Sequence, residues 1–179
     1  PEECFRVNVI GTQRVLEWSR IHSVRKLIYS GTSSLYGKQN AIPFTPNMPA
    51  QCLNPYSMSK WMGEQICELY YQLYNFNSIV LRYFNVYGPS EPLKGRYAPV
   101  IGLIKRQELE EHPITVVRNG LQRRDFTYID DVVDANICAI NAGSINHGIY
   151  NVGTGKSFQI IDIAHMIRRK SSIVHLPPR

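Results

Sequence analysis

The chain has 179 residues, of which 44% are hydrophobic and 19% are charged, as in an ordinary globular protein and unlike a disordered chain. No apolar run approaches the roughly 20 residues that cross a bilayer, so we expect no membrane segment. The net charge of +6 comes from basic residues spread along the chain without interleaved aromatic side chains. We therefore expect no nucleic-acid partner.

Cysteine usage indicates the compartment. The four cysteines are scattered and form no C-x-x-C pair, which favours reduced thiols over a disulfide framework or a zinc site. We therefore expect a cytoplasmic protein that binds no metal. None of the five histidines lies near a Ser/Asp or Cys pattern that would make it catalytic.

Helix and strand patterns alternate through the first half of the chain. Residues 3–21 have apolar residues at helical spacing, and residues 25–30 form a short apolar run that ends in small residues, as a buried parallel strand does. A loop rich in Pro and Asn is predicted over 37–53, and a second buried strand over 78–84. In the first helix, the side chains expected to face a core are Phe5, Val9, Thr12, Val15 and Leu16.

The helix between that loop and the second strand has the clearest signals. Asn54 is a favoured N-cap residue, Pro55 suits the first helical position, and no further proline occurs before Asn75. Apolar residues at helical spacing are predicted to form a buried stripe. They are Met58, Met62, Ile66, Leu69 and Leu73.

Tyr56 and Lys60 are four residues apart on this helix and share one face, away from the apolar stripe. A nearby ammonium favours the phenolate form of a tyrosine, and such a phenol can act as a general acid or base. Pairs with this spacing also arise by chance as exposed residues on a solvated face. The surrounding motifs decide between these two interpretations.

The second half of the chain is predicted to contain, in order, an amphipathic helix, two short strands, a helix capped by Asp130 or Asp131, a strand and a last helix. Such alternation of helices and strands is typical of an α/β protein. The predicted elements lie at residues 98–111, 114–117, 126–129, 131–142, 149–152 and 157–169.

Six segments of the chain match one family, in the order in which that family carries them. They are Asn8–Thr12 (NVIGT), Tyr29–Gly37 (YSGTSSLYG), Tyr56 with Lys60, Leu81–Pro89 (LRYFNVYGP), Arg124–Asp131 (RDFTYIDD) and Tyr150–Gly155 (YNVGTG). On these motifs the chain resembles the extended short-chain dehydrogenase/reductases, in particular the NAD-dependent epimerase/dehydratase group that acts on nucleotide sugars. The resemblance covers essentially the whole chain.

One family feature has no counterpart in the sequence. The family begins with a strand, a Gly-x-x-Gly-x-x-Gly turn and a helix whose N-terminus holds the NAD pyrophosphate. Here the only glycine-rich turn, at residues 153–155, lies late and lacks that spacing. We therefore expect an internal fragment of a longer enzyme, without the first βαβ portion and the final elements. On its own, we expect it neither to hold NAD nor to be active.

The resemblance implies an α/β fold, with a partial Rossmann-like parallel sheet joined to a smaller α/β substrate-binding domain. Residues 1–88 would be the C-terminal part of the NAD-binding domain. Residues 89–179 would be mainly the nucleotide-sugar domain, with 125–152 returning to the NAD-binding domain. Family members commonly dimerise through the two helices that flank the active site, here residues 1–21 and 55–75. A homodimer is therefore expected for the full-length protein.

The resemblance also implies the chemistry. In this family NAD takes hydride from a sugar carbon, and an epimerase returns it to the opposite face of the keto-sugar. Tyr56 would take the proton from the sugar hydroxyl, and Lys60 would assist it and bind the nicotinamide ribose. Asn8, Ser30 and Tyr83 match other positions that line the cofactor. The residue that distinguishes NAD from NADP belongs to the part of the family pattern that has no match here, so NADP stays open.

Three residues match positions that contact the substrate. Thr32 matches the catalytic Ser/Thr position, where a hydroxyl can bond to the reacting oxygen; the alternative is a strand-end hydroxyl that bonds to its own backbone. Asn85 matches an asparagine at the nucleotide diphosphate. Arg124 matches an arginine that clamps the phosphates, a task that suits the bidentate guanidinium. The alternative for Arg124 is a surface ion pair with Asp125 or Asp131.

Ser33 and Ser34 bear on the type of reaction. In this family the 4,6-dehydratases carry Asp-Glu after the catalytic Thr, and related decarboxylases carry Glu at the second of these positions. Hydroxyls cannot replace those carboxyl groups, so the expected reaction is 4-epimerisation of a UDP-hexose. The alternatives are a sugar-nucleotide dehydratase or reductase of the same family and a non-catalytic member that binds a nucleotide or a partner protein.

Overall fold

A computed structural model gives the fold of the chain, and it describes residues 1–39, 42–93, 98–143 and 147–178. The chain divides into two compact units. Unit 1 comprises Pro1–Phe84 and Asp130–Val152, and unit 2 comprises Asn85–Ile129 and Gly153–Arg179. That unit 1 serves a cofactor and unit 2 a substrate stays a prediction.

The main helices and strands of unit 1 alternate as predicted, whereas four short strands of unit 2, at residues 86–87, 123–125, 157–159 and 173–176, were not predicted. The helices are α1 (Glu2–Phe5), a π-helical turn (Arg6–Ile10), α2 (Gly11–Ile21), a 3₁₀-helix (Ser33–Tyr36), α3 (Pro55–Tyr74), α4 (Val100–Leu109), α5 (Ile129–Asn141) and α6 (Ile160–Ile167). The strands are β1 (Leu27–Thr32), β2 (Ser78–Tyr83), β3 (Val86–Tyr87), β4 (Ile114–Val117), β5 (Arg123–Asp125), β6 (Thr127–Tyr128), β7 (His147–Val152), β8 (Ser157–Gln159) and β9 (Ile173–Leu176). None of the described helices combines the length and the apolar character that a membrane crossing requires.

Unit 1 is built on a parallel sheet with the strand order β1-β2-β7. Strand β2 lies between the other two and is almost wholly buried, which explains its apolar sequence, since a central parallel strand is covered on both faces. Alternate residues of β2 enter different cores. Val80 packs with Leu16, Tyr29 and Cys67 on the α2 and α3 side. Ile79 and Leu81 pack with Ala139 of α5 on the other side. The predicted α/β class and parallel sheet are confirmed.

Helix α3 begins and ends within a residue of its predicted bounds, but its predicted buried stripe is only partly correct, since Ile66 packs against the core and other members are exposed. Leu69 and Leu73 are 47% and 61% exposed. The side chains that are buried instead are Ser57, Ser59, Glu64, Cys67 and Tyr70, together with Gly63. Apolar periodicity failed here because small and polar residues let the helix approach its neighbours closely, and Leu69 and Leu73 are left on the outer face.

The first predicted helix is divided in three by the π-helical turn. Leu16 is fully buried as predicted, whereas Val15, which was also expected to face the core, is 54% exposed. The extra residue of a π turn shifts the face that follows it by about one position. An amphipathic pattern that assumes a uniform α-helix therefore misplaces Val15.

Unit 2 contains three two-stranded sheets, the parallel pairs β3-β6 and β4-β9 and the antiparallel pair β5-β8. Its described core includes Ile104, Ile114, Phe126 and Ala164, packed with α4 and α6. The last helix is shorter than predicted, because residues 157–159 pair with β5 as a strand before α6 begins.

Candidate active site

The first turn of α3 holds the Tyr-x-x-x-Lys pair in place. Asn54 Oδ1 accepts the Ser57 backbone N–H at 2.9 Å, and the Asn54 N–H donates to Ser57 Oγ at 3.3 Å. Pro55 occupies the first position of the helix. This reciprocal capping box satisfies two backbone donors that the helix start would otherwise leave free. It fixes the start of the helix and therefore the positions from which the Tyr56 and Lys60 side chains project.

Tyr56 and Lys60 differ in their surroundings. Tyr56 is 47% exposed, so its phenol is accessible. Lys60 is half-buried, and its Nζ lies 4.2 Å from the centre of the Tyr29 ring, a cation–π contact. Its ammonium has no hydrogen-bond partner in the part of the chain that the structure describes. Burial lowers the pKa of Lys60, and the Glu64 carboxylate one turn later opposes that shift.

Tyr29 of β1 sets the distance between α3 and the sheet. Its hydroxyl donates to the backbone carbonyl of Lys60 at 3.1 Å. A Cβ at Gly63 would overlap this hydroxyl, so glycine is required there for the close approach. Burial raises the pKa of Tyr29 well above its ordinary value, and the phenol therefore remains a hydrogen-bond donor.

Asn8 contacts the same helix from the π-helical turn. Its Nδ2 donates to Ser59 Oγ at 2.9 Å, and the Ser59 hydroxyl donates to the backbone carbonyl of Tyr56, also at 2.9 Å. The structure therefore brings Asn8 to the segment of α3 that carries the pair. Its side-chain amide is used in packing the two helices together.

Thr32 lies at the carboxyl end of β1, where ligands bind in open parallel sheets. Its Oγ1 accepts the backbone N–H of Ser34 at 3.2 Å and so caps the 3₁₀-helix. Thr32 therefore makes the backbone hydrogen bond that is expected of a strand-end hydroxyl. The hydroxyl proton has no acceptor among the described residues and remains available. No hydrogen bond joins Thr32 to Tyr56 or Lys60 in the described ranges.

Ser30 and Tyr83 meet on the face of the sheet that packs against α5, away from α3. Ser30 Oγ lies 3.5 Å from the Tyr83 hydroxyl, which also exchanges hydrogen bonds with the side chain of Asn136 at 3.0–3.1 Å. Asn136 was not anticipated as a partner. Side chains alternate across a strand, which separates Ser30 from Tyr29 and Gly31.

Asn85 and Arg124 both belong to unit 2. Asn85 Nδ2 donates to the backbone carbonyl of Asp125 at 2.7 Å, and the residue lines a cavity of about 190 Å³ with Tyr87 and Phe126. Arg124 is exposed, and its Nη1 donates to its neighbour's backbone carbonyl at 2.9 Å. Within unit 2 it pairs with no described carboxylate, so the ion pair with Asp125 considered from the sequence does not form.

The late glycine-rich turn is occupied by a carboxylate. Asp125 Oδ1 accepts the N–H and hydroxyl of Thr154 at 3.0 and 2.8 Å, and Oδ2 accepts the Gly155 N–H at 2.8 Å. These N–H groups could otherwise form an anion-binding nest. Because Asp125 takes them, this turn is no substitute for a pyrophosphate-binding glycine turn.

Sequence reasoning missed a buried ion pair, Glu64 with Arg82, which lies beneath the Tyr-Lys helix. A signal for it was present, because Arg82 interrupts the apolar run of β2. An arginine in a buried strand requires a buried partner.

Comparison with known proteins identifies the family. Residues 1–153 match the family model described as the NAD dependent epimerase/dehydratase family. The chain belongs to this family.

Individual relatives differ in the reactions they are named for. The chain is 35% identical over 170 residues to the UDP-glucuronate 4-epimerase of Thermodesulfobacterium geofontis, covering 92% of this chain and 50% of the relative. It is 32% identical over 158 residues to the dTDP-D-glucose 4,6-dehydratase of Mus musculus, covering 88% of this chain and 43% of the relative. The chain spans about half the length of the curated relatives it matches.

A solved structure supports the same fold. The UDP-glucose 4-epimerase of Thermus thermophilus in complex with NAD superimposes with a TM-score of 0.87 at 29% identity. The match covers 98% of this chain and 58% of that chain. The resemblance drawn from the six motifs is thereby confirmed.

Proposed function

We propose that this chain is part of a nucleotide-sugar epimerase that interconverts UDP-hexoses at C4. The observation that carries the proposal is the capped start of α3, which presents an accessible Tyr56 phenol four residues before a Lys60 ammonium that has no hydrogen-bond partner among the described residues. Membership of the NAD dependent epimerase/dehydratase family supports this chemistry. The domain roles predicted for residues 1–88 and 89–179 are part of the same proposal.

The donor set on α3 fits the ribose end of NAD. An ammonium has three N–H donors, and Lys60 spends none of them on a described residue, so it can donate to the two ribose hydroxyls. Asn8, Ser30 and Tyr83 are the further residues proposed to line the cofactor. NAD, when bound, supplies the hydride acceptor and donor. NADP is the alternative dinucleotide.

Tyr56 is proposed to be the general base and acid. As the phenolate it takes the proton of the sugar hydroxyl while the carbon is oxidised, and as the phenol it gives that proton back while the keto-sugar is reduced. Thr32 still has a free hydroxyl proton to donate to the reacting oxygen, which would hold that oxygen in place.

Asn85 and Arg124 are the proposed contacts to the nucleotide diphosphate. The Arg124 guanidinium is exposed and has no described carboxylate of unit 2 to neutralise it, which suits a residue that binds phosphate in a bidentate manner. The side-chain amide N–H of Asn85 donates to the Asp125 backbone carbonyl, and the side-chain oxygen of Asn85 is proposed to face the ligand. For the substrate sugar we propose a hexose, without specifying its substituents.

Ser33 and Ser34 favour epimerisation over the other reactions of the family. They form the first turn of the 3₁₀-helix after Thr32. A dehydratase needs a carboxyl group at this place to eliminate water, and serine hydroxyls are too weakly acidic to do so. The hydroxyl-lined turn is consistent with reversible oxidation alone.

The setting of the enzyme follows from the same observations. The four cysteines are free thiols, which suits the reducing cytoplasm. We propose a homodimer for the full-length protein, because α2 and α3 expose large apolar side chains, among them Trp18 at 58% and Leu73 at 61%. Exposed apolar groups of this kind are typical of protein interfaces.

The test is turnover of UDP-glucose and UDP-galactose by the full-length protein and its Tyr56→Phe variant, with products separated by chromatography. The variant lacks the ionisable hydroxyl, and we expect turnover to fall by about 10²-fold or more. Tyr74→Phe, at the exposed far end of the same helix, is the matched control and should retain full turnover.

Two results would contradict the proposal. Unchanged turnover in Tyr56→Phe would remove Tyr56 from the chemistry. A product lighter than the substrate by one water would show a dehydratase in place of an epimerase.

A further inference from the structure

A buried ion pair of unit 1 lies one turn beyond Lys60. Arg82 Nη2 and Nε donate to Glu64 Oε2 at 2.7 and 3.0 Å. Both side chains are almost fully buried, at 4% and 0% exposure. Two charges so far from water are costly unless each is well paired.

Arg82 also connects the other segments around α3. Its Nη1 donates to the Tyr36 hydroxyl and to the Pro46 carbonyl, each at 2.9 Å. Tyr36 ends the 3₁₀-helix that Thr32 caps, and its own hydroxyl donates to Asn151 of β7 at 2.6 Å. One guanidinium therefore links α3, the turn after Thr32 and the sheet.

The absence of a side chain at Gly31 leaves room for the Glu64 carboxylate. Gly31 pairs with Arg82 across β1 and β2, and a Cβ on it would lie 2.8 Å from Glu64 Oε1. No positive φ requires glycine at this position. The space that the missing side chain leaves is filled by the Glu64 carboxylate.

Glu64 is also the nearest fixed negative charge to Lys60 along α3. The residues are one turn apart, and Arg82 engages the carboxylate so that no direct ion pair with Lys60 forms. The other titratable groups beside Lys60 are Tyr29 and Cys67, and burial holds both in their neutral forms. Burial alone would lower the pKa of Lys60, and Glu64 opposes this.

We propose that Glu64, held in place by Arg82, is a positioning residue whose buried negative charge keeps Lys60 protonated while leaving its ammonium free to bind a ligand. A direct Glu64–Lys60 pair would spend the donors that the ligand needs. Because Glu64 lies one helical turn from Lys60 and is bonded to Arg82, its negative charge can act on Lys60 without a direct hydrogen bond between them. The consequence for turnover rests on the proposed function, whereas the effect on Lys60 does not.

The test measures the protonation of Lys60 directly. The rate of acetylation of Lys60 by acetic anhydride is followed by mass spectrometry over a pH series, since only the neutral amine reacts. In Glu64→Gln, which keeps the side-chain shape, we expect the midpoint to fall by about one pH unit. The matched control is Glu68→Gln, on the same helix beside His147, and its midpoint should equal that of the parent chain. An unchanged midpoint in Glu64→Gln would overturn the proposal.

A second variant covers the case in which Glu64→Gln fails to fold with Arg82 unpaired. Glu64→Leu combined with Arg82→Met removes both charges, a change that buried ion pairs often tolerate. Because this variant also removes the positive charge of Arg82, which partly offsets that of Glu64, we expect the Lys60 midpoint to fall by less than in Glu64→Gln. In the full-length enzyme we expect the alkaline limb of kcat/KM to move to lower pH by the same amount. Turnover with the parental pH profile would mean that the pair is only structural, and would overturn the proposal.

The two hypotheses fail in different ways. If the full-length parent protein does not epimerise a UDP-hexose, the proposed function is wrong. The acetylation midpoints then still decide whether Glu64 controls Lys60.

Discussion

Gly31 is a position of unit 1 at which a side chain would overlap the neighbouring residues. Its neighbours across the missing side chain are Glu64 Oε1 at 2.8 Å, and Arg82 Cγ and the Leu81 carbonyl oxygen at 3.1 Å each. Two of these three atoms belong to the buried ion pair. A methyl group at this position would have to displace the carboxylate or separate the strand from the helix.

Gly31→Ala is therefore expected to lower the free energy of unfolding by about 1–3 kcal/mol, the usual cost of overpacking. Urea unfolding followed by circular dichroism measures it. Gly143→Ala is the matched control, because no atom lies within 4 Å of a Cβ there, and its effect should stay within about 0.5 kcal/mol. Equal effects in the two variants would show that Gly31 is not constrained by the pair.

At this scale the sequence identified candidates but not their partners. Tyr56, Lys60 and Thr32 were recognisable because their spacing and order form a pattern along the chain. Glu64 and Arg82 are 18 residues apart, and only the packing of α3 on β2 brings them together. The roles of the candidates stay predictions, whereas their positions are now known.

The element on which the site depends is α3, and its start is its most strongly specified point. Asn54, Pro55 and Ser57 together supply a cap, a first-turn proline and a reciprocal hydrogen bond. The helix ends at Asn75 in the left-handed conformation, with φ of 51°, a position that asparagine tolerates. Both boundaries are local signals, which explains why they could be predicted within a residue.

Asn54→Ala tests the contribution of the cap. It removes the acceptor of the Ser57 N–H, and we expect the free energy of unfolding to fall by about 1 kcal/mol. Asn47→Ala, at an exposed position, is the control and should change the value by less than about 0.5 kcal/mol. Chemical denaturation of the two variants side by side gives the comparison. A cap variant as stable as the control would contradict the role assigned to Asn54.

The buried face of α3 could not be predicted in the same way. Periodicity assigns burial by hydrophobicity, but this helix buries Ser59, Gly63 and Glu64 and exposes Leu73. The reason is tertiary: the Tyr29 hydroxyl, the Asn8 amide and the Arg82 guanidinium each require a small or polar partner on the helix. None of these partners is near α3 in sequence.

For the whole chain, the sheet of unit 1 has an unpaired edge among the described residues. Strand β1 pairs with β2 alone, and beside it lies an apolar groove lined by Val7, Val15, Leu27 and Ile28. Exposed strand edges next to apolar surface are sites of association between chains. The net charge of +6 opposes that association at neutral pH.

We therefore expect the 179-residue chain to associate with a second copy as the pH approaches the isoelectric point of about 9.2, because the repulsion between copies is lost. Light scattering over a pH and salt series measures this. Val15→Lys places a charge in the groove and should suppress association. Leu109→Lys adds the same charge on α4 of unit 2, outside the groove, and should suppress it less. Equal suppression by both variants would assign association to net charge alone.

For the chain as a whole, the sequence was a good guide to fold class. Alternating helices and buried strands predict a parallel sheet, because strands that are covered on both faces are apolar throughout. The shorter elements of unit 2 were predicted less well. Residues 157–159 join β5 as a strand, and a three-residue strand carries too few residues to show a period.

Cys67 gives α3 a property that concerns motion. Its thiol is fully buried against the sheet, and burial raises its pKa to about 12. Since the thiolate is the reactive form, a thiol reagent can modify Cys67 only while the helix is separated from β1 and β2. The modification rate of this native residue therefore reports how often the helix that carries Tyr56 and Lys60 opens, without any added label.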